Sequence, residues 1–126
     1  MDVEIDLESA IALVDVGEAS STTEIINAIE ALLAHPDYVD GMDSIFDYSR
    51  CDFSKLSAEN LKSVAHFLVP HLPRLAKRIN LVVGRDLEYG LARMYGVYAE
   101  DIAPRERHIF RDIGSAREWF LSNKQA

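Results

Sequence analysis

The chain opens with a strict alternation of acidic and apolar side chains. Acids occupy every second position from Asp2 to Glu8, and apolar residues fill the positions between them. Such period-two alternation is typical of a half-buried β-strand with one wet face. We therefore predict a strand over residues 2–8. The acids on its exposed face are also typical of an edge strand that is protected from pairing with other chains.

Four further segments have the composition of strands. Residues 10–16 are apolar on both faces, which favours a more central strand that follows the first after a tight turn at Ser9. Gly17 then closes this second strand. The remaining predicted strands are residues 44–48, 79–83 and 108–110.

Helices are predicted between these strands from their capping residues. Ser21 and Glu24 have the spacing of a capping box, and Pro36 ends the helix that follows by residue 35. Ser57 is the expected cap of a second helix that carries Leu61, Val64, Ala65 and Leu68, and Pro70 and Pro73 bracket its end.

Two more helices complete the predicted elements. Asp86 is the expected cap of the third, and Ser115 with Glu118 forms a capping box for the last. The apolar stripe predicted for the third helix is Leu87, Leu91, Met94, Tyr95 and Tyr98. Because strand and helix alternate after the opening hairpin, we expect an α/β fold. The predicted fold is one mixed, mainly parallel sheet of about five strands with about four helices, in a single domain over residues 1–126.

Four segments resemble a known family of small bacterial proteins. They are residues 22–42, which end in LLAHPDYVDGM, then IFDYSRCDFSKLSAENL at 45–61, VVGRDLEYGLARMYGVYAED at 82–101 and IFRDIGSAREWF at 109–120. Together they resemble the SpoIIAA-like, STAS-like domains over nearly the whole chain. The resemblance implies a mixed sheet of four to five strands with helices largely on one side. It also implies a regulatory or ligand-sensing role.

The resemblance further implies a candidate phosphoacceptor. The best-understood STAS relatives, the anti-sigma-factor antagonists, are switched by phosphorylation of a serine at the start of the helix after the central strand, in a context like Asp-Ser-Ser-Gly. This chain lacks the paired serines and the glycine of that context, and Ser57 is the nearest positional match, with Ser54 behind it. A phosphate on Ser57 would meet the free N–H groups of a helix N-terminus, whereas an unmodified serine serves as an ordinary cap.

The formal charge of −8 over 126 residues narrows the classes of partner. Nucleic acid and anionic lipid both need clustered cations, so we expect neither as a partner. The charge is uneven along the chain, since residues 1–63 hold 14 acidic and 3 basic side chains, a net of −11, and residues 64–126 hold 7 acidic and 10 basic, a net of +3. Either the two halves face each other within one fold, or they form a bipolar surface that pairs with a protein partner or a second copy.

The expected location is the cytoplasm. The single cysteine, Cys51, cannot form an internal disulfide, and the acidic N-terminus lacks the pattern of a secretory signal. No apolar run approaches the roughly 18 residues of a membrane span.

The candidate ligand or partner site is expected where parallel strands end, because ligands of open parallel sheets bind beyond the carboxyl ends of the strands. Asp47, Ser49, Arg85 and Asp86 lie at those ends and together have the polarity to hold a small ligand or a partner's side chain. The alternative is purely structural: Asp47 ties down its own loop, and Asp86 caps a helix.

Tyr95 is the candidate from the third helix. An aromatic and methionine stripe at helical spacing is usually core, but an open groove there would suit an apolar ligand or a partner helix. We expect a pocket of several hundred cubic ångströms lined by Met94, Tyr95 and Phe67 if the protein carries a small molecule. A closed core with a flat apolar patch would favour protein binding.

Few other residues in the sequence have the type and spacing needed for catalysis or for metal or cofactor binding. The histidines, at positions 35, 66, 71 and 108, lack the spacing of a zinc set, and no phosphate loop or dinucleotide motif is present. Cys51 lies beside Arg50, which predicts a modestly lowered thiol pKa, but no flanking motif supports a nucleophile. We therefore expect no catalytic residues, cofactor or metal. The predicted function is a non-enzymatic regulatory or protein-interaction module, with a homodimer as one form. The alternative is a carrier or sensor of a small apolar ligand held between sheet and helices.

Overall fold

The computed structural model describes residues 1–124, in which five strands and four helices alternate after an opening hairpin. The last two residues of the predicted domain, 125 and 126, lie outside the described residues. The strands are β1 (Asp2–Asp6), β2 (Ile11–Asp15), β3 (Asp43–Tyr48), β4 (Arg78–Val83) and β5 (Glu106–Phe110). The helices are α1 (Thr22–Ala34), α2 (Ala58–Leu68), α3 (Asp86–Ile102) and α4 (Ile113–Ser122), and a short 3₁₀ turn covers Val69–His71.

The five strands form one sheet whose spatial order follows the chain, β1-β2-β3-β4-β5. β1 pairs antiparallel with β2, and the other neighbours are parallel. The predicted α/β fold with one mainly parallel sheet is confirmed, as is the place of β1 at an edge. Because spatial order equals chain order, the acidic half of the sequence lies at the β1 side and the basic half at the β5 side.

The helices cover the sheet unequally. The larger core packs α1, α2 and α3 on one face, around side chains such as Val14, Phe46, Leu81 and Leu32. A smaller core on the other face packs α4 through Ala116 and Phe120 against Ile11, Ile45 and Val82. None of the helices within residues 1–124 combines the length and apolar character needed to cross a bilayer.

Helices α1 and α2 begin as predicted. The Ser21 side chain accepts a hydrogen bond from the backbone N–H of Glu24. The Glu24 carboxylate in turn accepts a hydrogen bond from Ser20 N, with 3.1 Å between Ser20 N and Glu24 Oε1. The Ser57 side chain accepts from Asn60 N at 3.1 Å, and the Asn60 side chain accepts from Ser57 N at 2.9 Å. These reciprocal contacts satisfy N–H groups that have no partner within the helix.

The predicted caps of α3 and α4 are wrong. Arg85 is the N-cap residue of α3, but its side chain makes no capping hydrogen bond to the helix backbone. Asp86 is the first helical residue. Helix α4 begins at Ile113, capped by Asp112, whose Oδ1 accepts from Ser115 N at 2.7 Å. The physical reason in α4 is that Asp112 lies three residues before Ser115, so its carboxylate caps one turn earlier than the Ser115–Glu118 pair.

The apolar stripe predicted for α3 is also displaced. Glu88 and Ala99 are the buried residues of the helix, and Leu91 and Tyr95 pack partly against the core. Leu87 and Met94, both predicted to be internal, are exposed. The inward face of the helix is thus rotated relative to the predicted stripe, and in the first turn a charged residue, Glu88, takes the buried position.

Candidate functional site

The carboxyl edge of the sheet holds the four predicted polar residues in separate contacts. Asp47 is buried, and its Oδ1 accepts from Ser49 N at 2.9 Å. Its backbone carbonyl also accepts from Val16 N at 3.1 Å. Asp47 therefore ties down the loop after β3, as the structural alternative predicted.

Arg85 and Asp86 each have an ion-pair partner. Arg85 Nε lies 2.6 Å from Glu88 Oε1, and its Nη2 lies 3.0 Å from Asp52 Oδ1. Asp86 Oδ1 accepts from Arg111 Nη2 at 2.7 Å. Hydrogen bonds from Ser54, and then from Arg85, lower the pKa of Asp52 to about 2.

These pairs are not joined to one another by direct bonds. Among residues 1–124, no hydrogen bond or ion pair joins Asp47 or Ser49 to Arg85 or Asp86. The close approach at this edge is between backbones, where the Ser49 carbonyl faces Gly84. The contacts of Asp47, Arg85 and Asp86 hold loops and helix ends together, and a ligand shared by the four side chains stays a prediction.

Glu88 is the residue at this edge that the sequence interpretation missed. Its side chain is only 1% exposed, and Oε2 accepts from Phe53 N at 2.9 Å. The hydrogen bonds from Arg85 hold the pKa of the Glu88 carboxyl below its ordinary value, against the opposing effect of burial. The three-residue spacing between Arg85 and Glu88 was the available signal.

A second site lies inside the molecule, between the sheet and helices α1, α2 and α3. It is an apolar cavity of about 80 Å³. Tyr95 lines the cavity as predicted, whereas Met94 and Phe67 do not. The volume is below the several hundred cubic ångströms that we expected if the protein carries a small molecule. A cavity of roughly 150 Å³ holds benzene, so this one suits only a few heavy atoms.

The cavity has polar groups among its apolar walls. They are Glu88, Arg107 and the two tyrosines Tyr48 and Tyr95. Burial raises the pKa of both tyrosines, so both hydroxyls stay protonated at neutral pH and offer hydrogen-bond donors. Glu88 is already held by Arg85 and the Phe53 backbone, which leaves Arg107 as the charged group of interest.

Arg107 lies at the boundary between this cavity and an open groove. Its guanidinium carbon lies 5.5 Å from the centre of the Tyr95 ring, and Nη2 donates to Ala103 O at 3.1 Å. Arg107 also lines a groove of about 530 Å³ between α3 and β5. The sequence alone assigned no role to Arg107. The role of Arg107 depends on the side-by-side placement of β4, β5 and α3.

The two remaining candidates lie apart from the cavity. Ser57 is exposed at the N-terminus of α2, where it serves as the predicted cap. Cys51 is buried, and its Sγ lies 3.2 Å from Gly17 O. Burial, reinforced by nearby carboxylates, raises the pKa of this thiol to about 11. The modestly lowered pKa expected from Arg50 is therefore wrong.

Metal chemistry gains no support from the described residues. Within residues 1–124, no three His, Cys, Asp or Glu side chains group closely enough to hold an ion. Two of the histidines have aromatic neighbours instead. His108 packs against Trp119 at 4.3 Å between ring centres, and His71 packs against Phe67 at 4.8 Å.

Comparison with known proteins identifies no relative of this chain. No family model matches the chain, and neither a curated protein nor a solved structure does.

Proposed function

We propose that this chain is a non-enzymatic binding module that docks a protein partner on the outer face of α3. The observation that carries the proposal is the exposure of three large apolar side chains on that helix. Leu87 is 46% exposed, Met94 41% and Val97 69%. Single exposed apolar residues are ordinary, but several on one helix are typical of an interaction surface.

The charge distribution indicates the chemistry of the partner. Helix α3 itself holds four acidic side chains and one arginine, but two of these acids, Glu88 and Asp86, are paired with Arg85 and Arg111. The half of the chain to which the helix belongs has a net charge of +3, whereas the other half has −11. A partner whose apolar helix face is bordered by acidic side chains complements this half. A second copy that docked through the same face of α3 would place like-charged halves against each other, so it is the less favoured occupant of this face. A STAS-like regulatory role in a bacterial cytoplasm is part of the same proposal, supported by the mixed sheet with three helices on one face.

Two amphipathic peptides with the same leucine face test this function. One has Glu and the other Lys at its remaining positions, and binding is followed by the NMR signals of α3. We expect the Glu peptide alone to bind, and Met94→Asp to weaken that binding about tenfold. Leu121→Asp is the matched control, because Leu121 is equally exposed on α4.

Three results would overturn the proposal. The peptides bind equally, Met94→Asp binds as the wild type does, or neither peptide binds. Sedimentation of the wild type and of Met94→Asp tests for a dimer. If the wild type is dimeric and Met94→Asp is monomeric, the occupant of this face is a second copy and not an acidic partner.

A second candidate function rests on the cavity. An apolar space of about 80 Å³ between sheet and helices supports the binding of a small apolar ligand. Pressurised xenon is the neutral probe, and we expect it to shift the NMR signals of cavity-lining residues only. Ala92→Leu, which adds bulk at a wall of the cavity, should abolish those shifts. Shifts spread over the surface would contradict this function.

A further inference from the structure

We propose that Arg107 binds the carboxylate of a short-chain apolar acid whose tail enters the cavity beneath α3. The inference rests on the second candidate function, because it names the class of ligand for the same cavity. The proposed ligand is a free monocarboxylate with an apolar tail of a few carbons.

The position of Arg107 favours a ligand with one polar end. Three residues line both the cavity and the open groove, namely Leu81, Ala92 and Arg107. Arg107 is the only charged one of the three. A molecule that occupied both spaces would therefore lie beside Arg107, with apolar walls on the cavity side. A ligand with an anionic head and an apolar tail suits this combination.

Arg107 also has unused capacity to bind an anion. A guanidinium has five N–H donors. Arg107 donates from Nη2 to Ala103 O, and a hydrogen bond to the Tyr95 side chain uses a further donor, so donors are left for an anion. Among residues 1–124, no carboxylate lies within ion-pair distance of it, whereas Arg78 and Arg111 are paired with Asp43 and Asp86. A carboxylate matches the fork geometry of a free guanidinium.

The surroundings of Arg107 favour an anion over a cation. The groove is lined by three arginines and two acids, which are Arg93, Arg105, Arg107, Glu100 and Asp101. Within residues 1–124, the buried Nε atom of Arg105, one of the residues of the groove, has no hydrogen-bond partner. On the cavity side, Tyr48 and Tyr95 are neutral polar residues among apolar ones. An acid therefore meets an entrance with a net positive charge.

The volume of the cavity limits the length of the ligand's apolar tail. A volume of about 80 Å³ is roughly half of the 150 Å³ that accommodates benzene. This space accepts a tail of about three carbons. Butyrate has such a tail, and butyramide has the same shape without the charge. These two molecules are the probes.

The experiment is an NMR titration of the intact chain with butyrate and with butyramide. We expect both to shift signals of the cavity lining, and butyrate to bind about tenfold more tightly, because charged hydrogen bonds are stronger than neutral ones. Arg107→Gln should remove that preference. Arg117→Gln, a substitution on α4, should leave it unchanged. Ala92→Leu should weaken both probes.

Two outcomes distinguish a failure of the carboxylate proposal from a failure of the second candidate function, the binding of a small apolar ligand in the cavity. If butyramide binds as tightly as butyrate, the carboxylate site is wrong, while the cavity still binds small apolar molecules. If neither probe nor xenon shifts the lining residues, both proposals are wrong. The comparison of probes on the wild type decides the matter even if Arg107→Gln fails to fold.

Discussion

Glu88 is buried against Arg85, with its Oε1 only 2.6 Å from the arginine Nε. The other carboxylate oxygen accepts from the backbone of Phe53, which is 35 residues earlier in the chain. One side chain thus joins the start of α3 to the loop that leads into α2. Burying a carboxylate is costly unless it is paired and hydrogen-bonded, and here both conditions are met.

The first prediction concerns the pH dependence of this contact. The folded pKa of Glu88 is lowered from its ordinary 4.5, so the contact stabilises the fold above about pH 4.5 and is lost as pH falls through the lower folded value. We expect Glu88→Gln to reduce the free energy of unfolding by about 1–3 kcal/mol at pH 7. The difference from the wild type should shrink below pH 4.5. Urea denaturation across pH 3–8 measures it.

Asp86→Asn is the matched control for that prediction. Asp86 is one turn or less from Glu88 and also pairs with an arginine, but its side chain is 98% exposed. Exposed ion pairs contribute little, so the control should change stability by less than about 0.5 kcal/mol. If the two variants lose stability equally, or if the wild type and Glu88→Gln have parallel pH profiles, the assigned role of Glu88 is wrong.

The second prediction concerns two glycines. A Cβ at Gly84 would lie 2.4 Å from the Ser49 carbonyl oxygen, whereas a Cβ at Gly90 meets nothing within 4 Å. Backbone cannot move as a flexible side chain does, so we expect Gly84→Ala to destabilise the fold by about 1–3 kcal/mol. Gly90→Ala should stabilise α3 by about 0.5–1 kcal/mol. Thermal unfolding of both variants is the measurement, and changes of the same sign would contradict the contact.

The elements that depend on local patterns were predictable from the sequence. The alternation in β1 indicated a half-exposed edge strand, and the residues around Ser21 and Ser57 indicated two helix starts. All five strands were expected, and the structure has them. In each case the signal is contained within a few neighbouring residues.

The inward face of α3 and the cavity were not predictable in this way. Apolar spacing favoured Leu87 and Met94, yet Glu88 takes the buried position because Arg85 and the distant Phe53 backbone satisfy it. Arg107 lines the cavity because β5 pairs beside β4, with Arg107 opposite Ile79. Both depend on contacts between segments far apart in the chain, which local periodicity does not contain.

The third prediction concerns Ser57 as cap and candidate phosphoacceptor. Its hydroxyl accepts from Asn60 N at 3.1 Å, so Ser57→Ala should cost about 1 kcal/mol of stability, while Ser57→Asp retains a capping oxygen and should cost less. If Ser57 is phosphorylated in cells, the intact mass rises by one phosphate and Ser57→Ala removes that rise. A rise that persists in Ser57→Ala, as from Ser54, would contradict the assignment.

The last prediction concerns the reactivity of Cys51. Its thiol is buried against the Gly17 carbonyl, and burial raises its pKa to about 11, whereas an unperturbed cysteine has a pKa of about 8.5. Since the thiolate is the reactive form, the folded chain at pH 8 should react with a thiol reagent on the order of a hundredfold more slowly than the urea-unfolded chain. Absorbance of the released reporter measures both rates. Equal rates would show that Cys51 is accessible and ionised in the fold, and they would reopen the nucleophile interpretation that its burial now opposes.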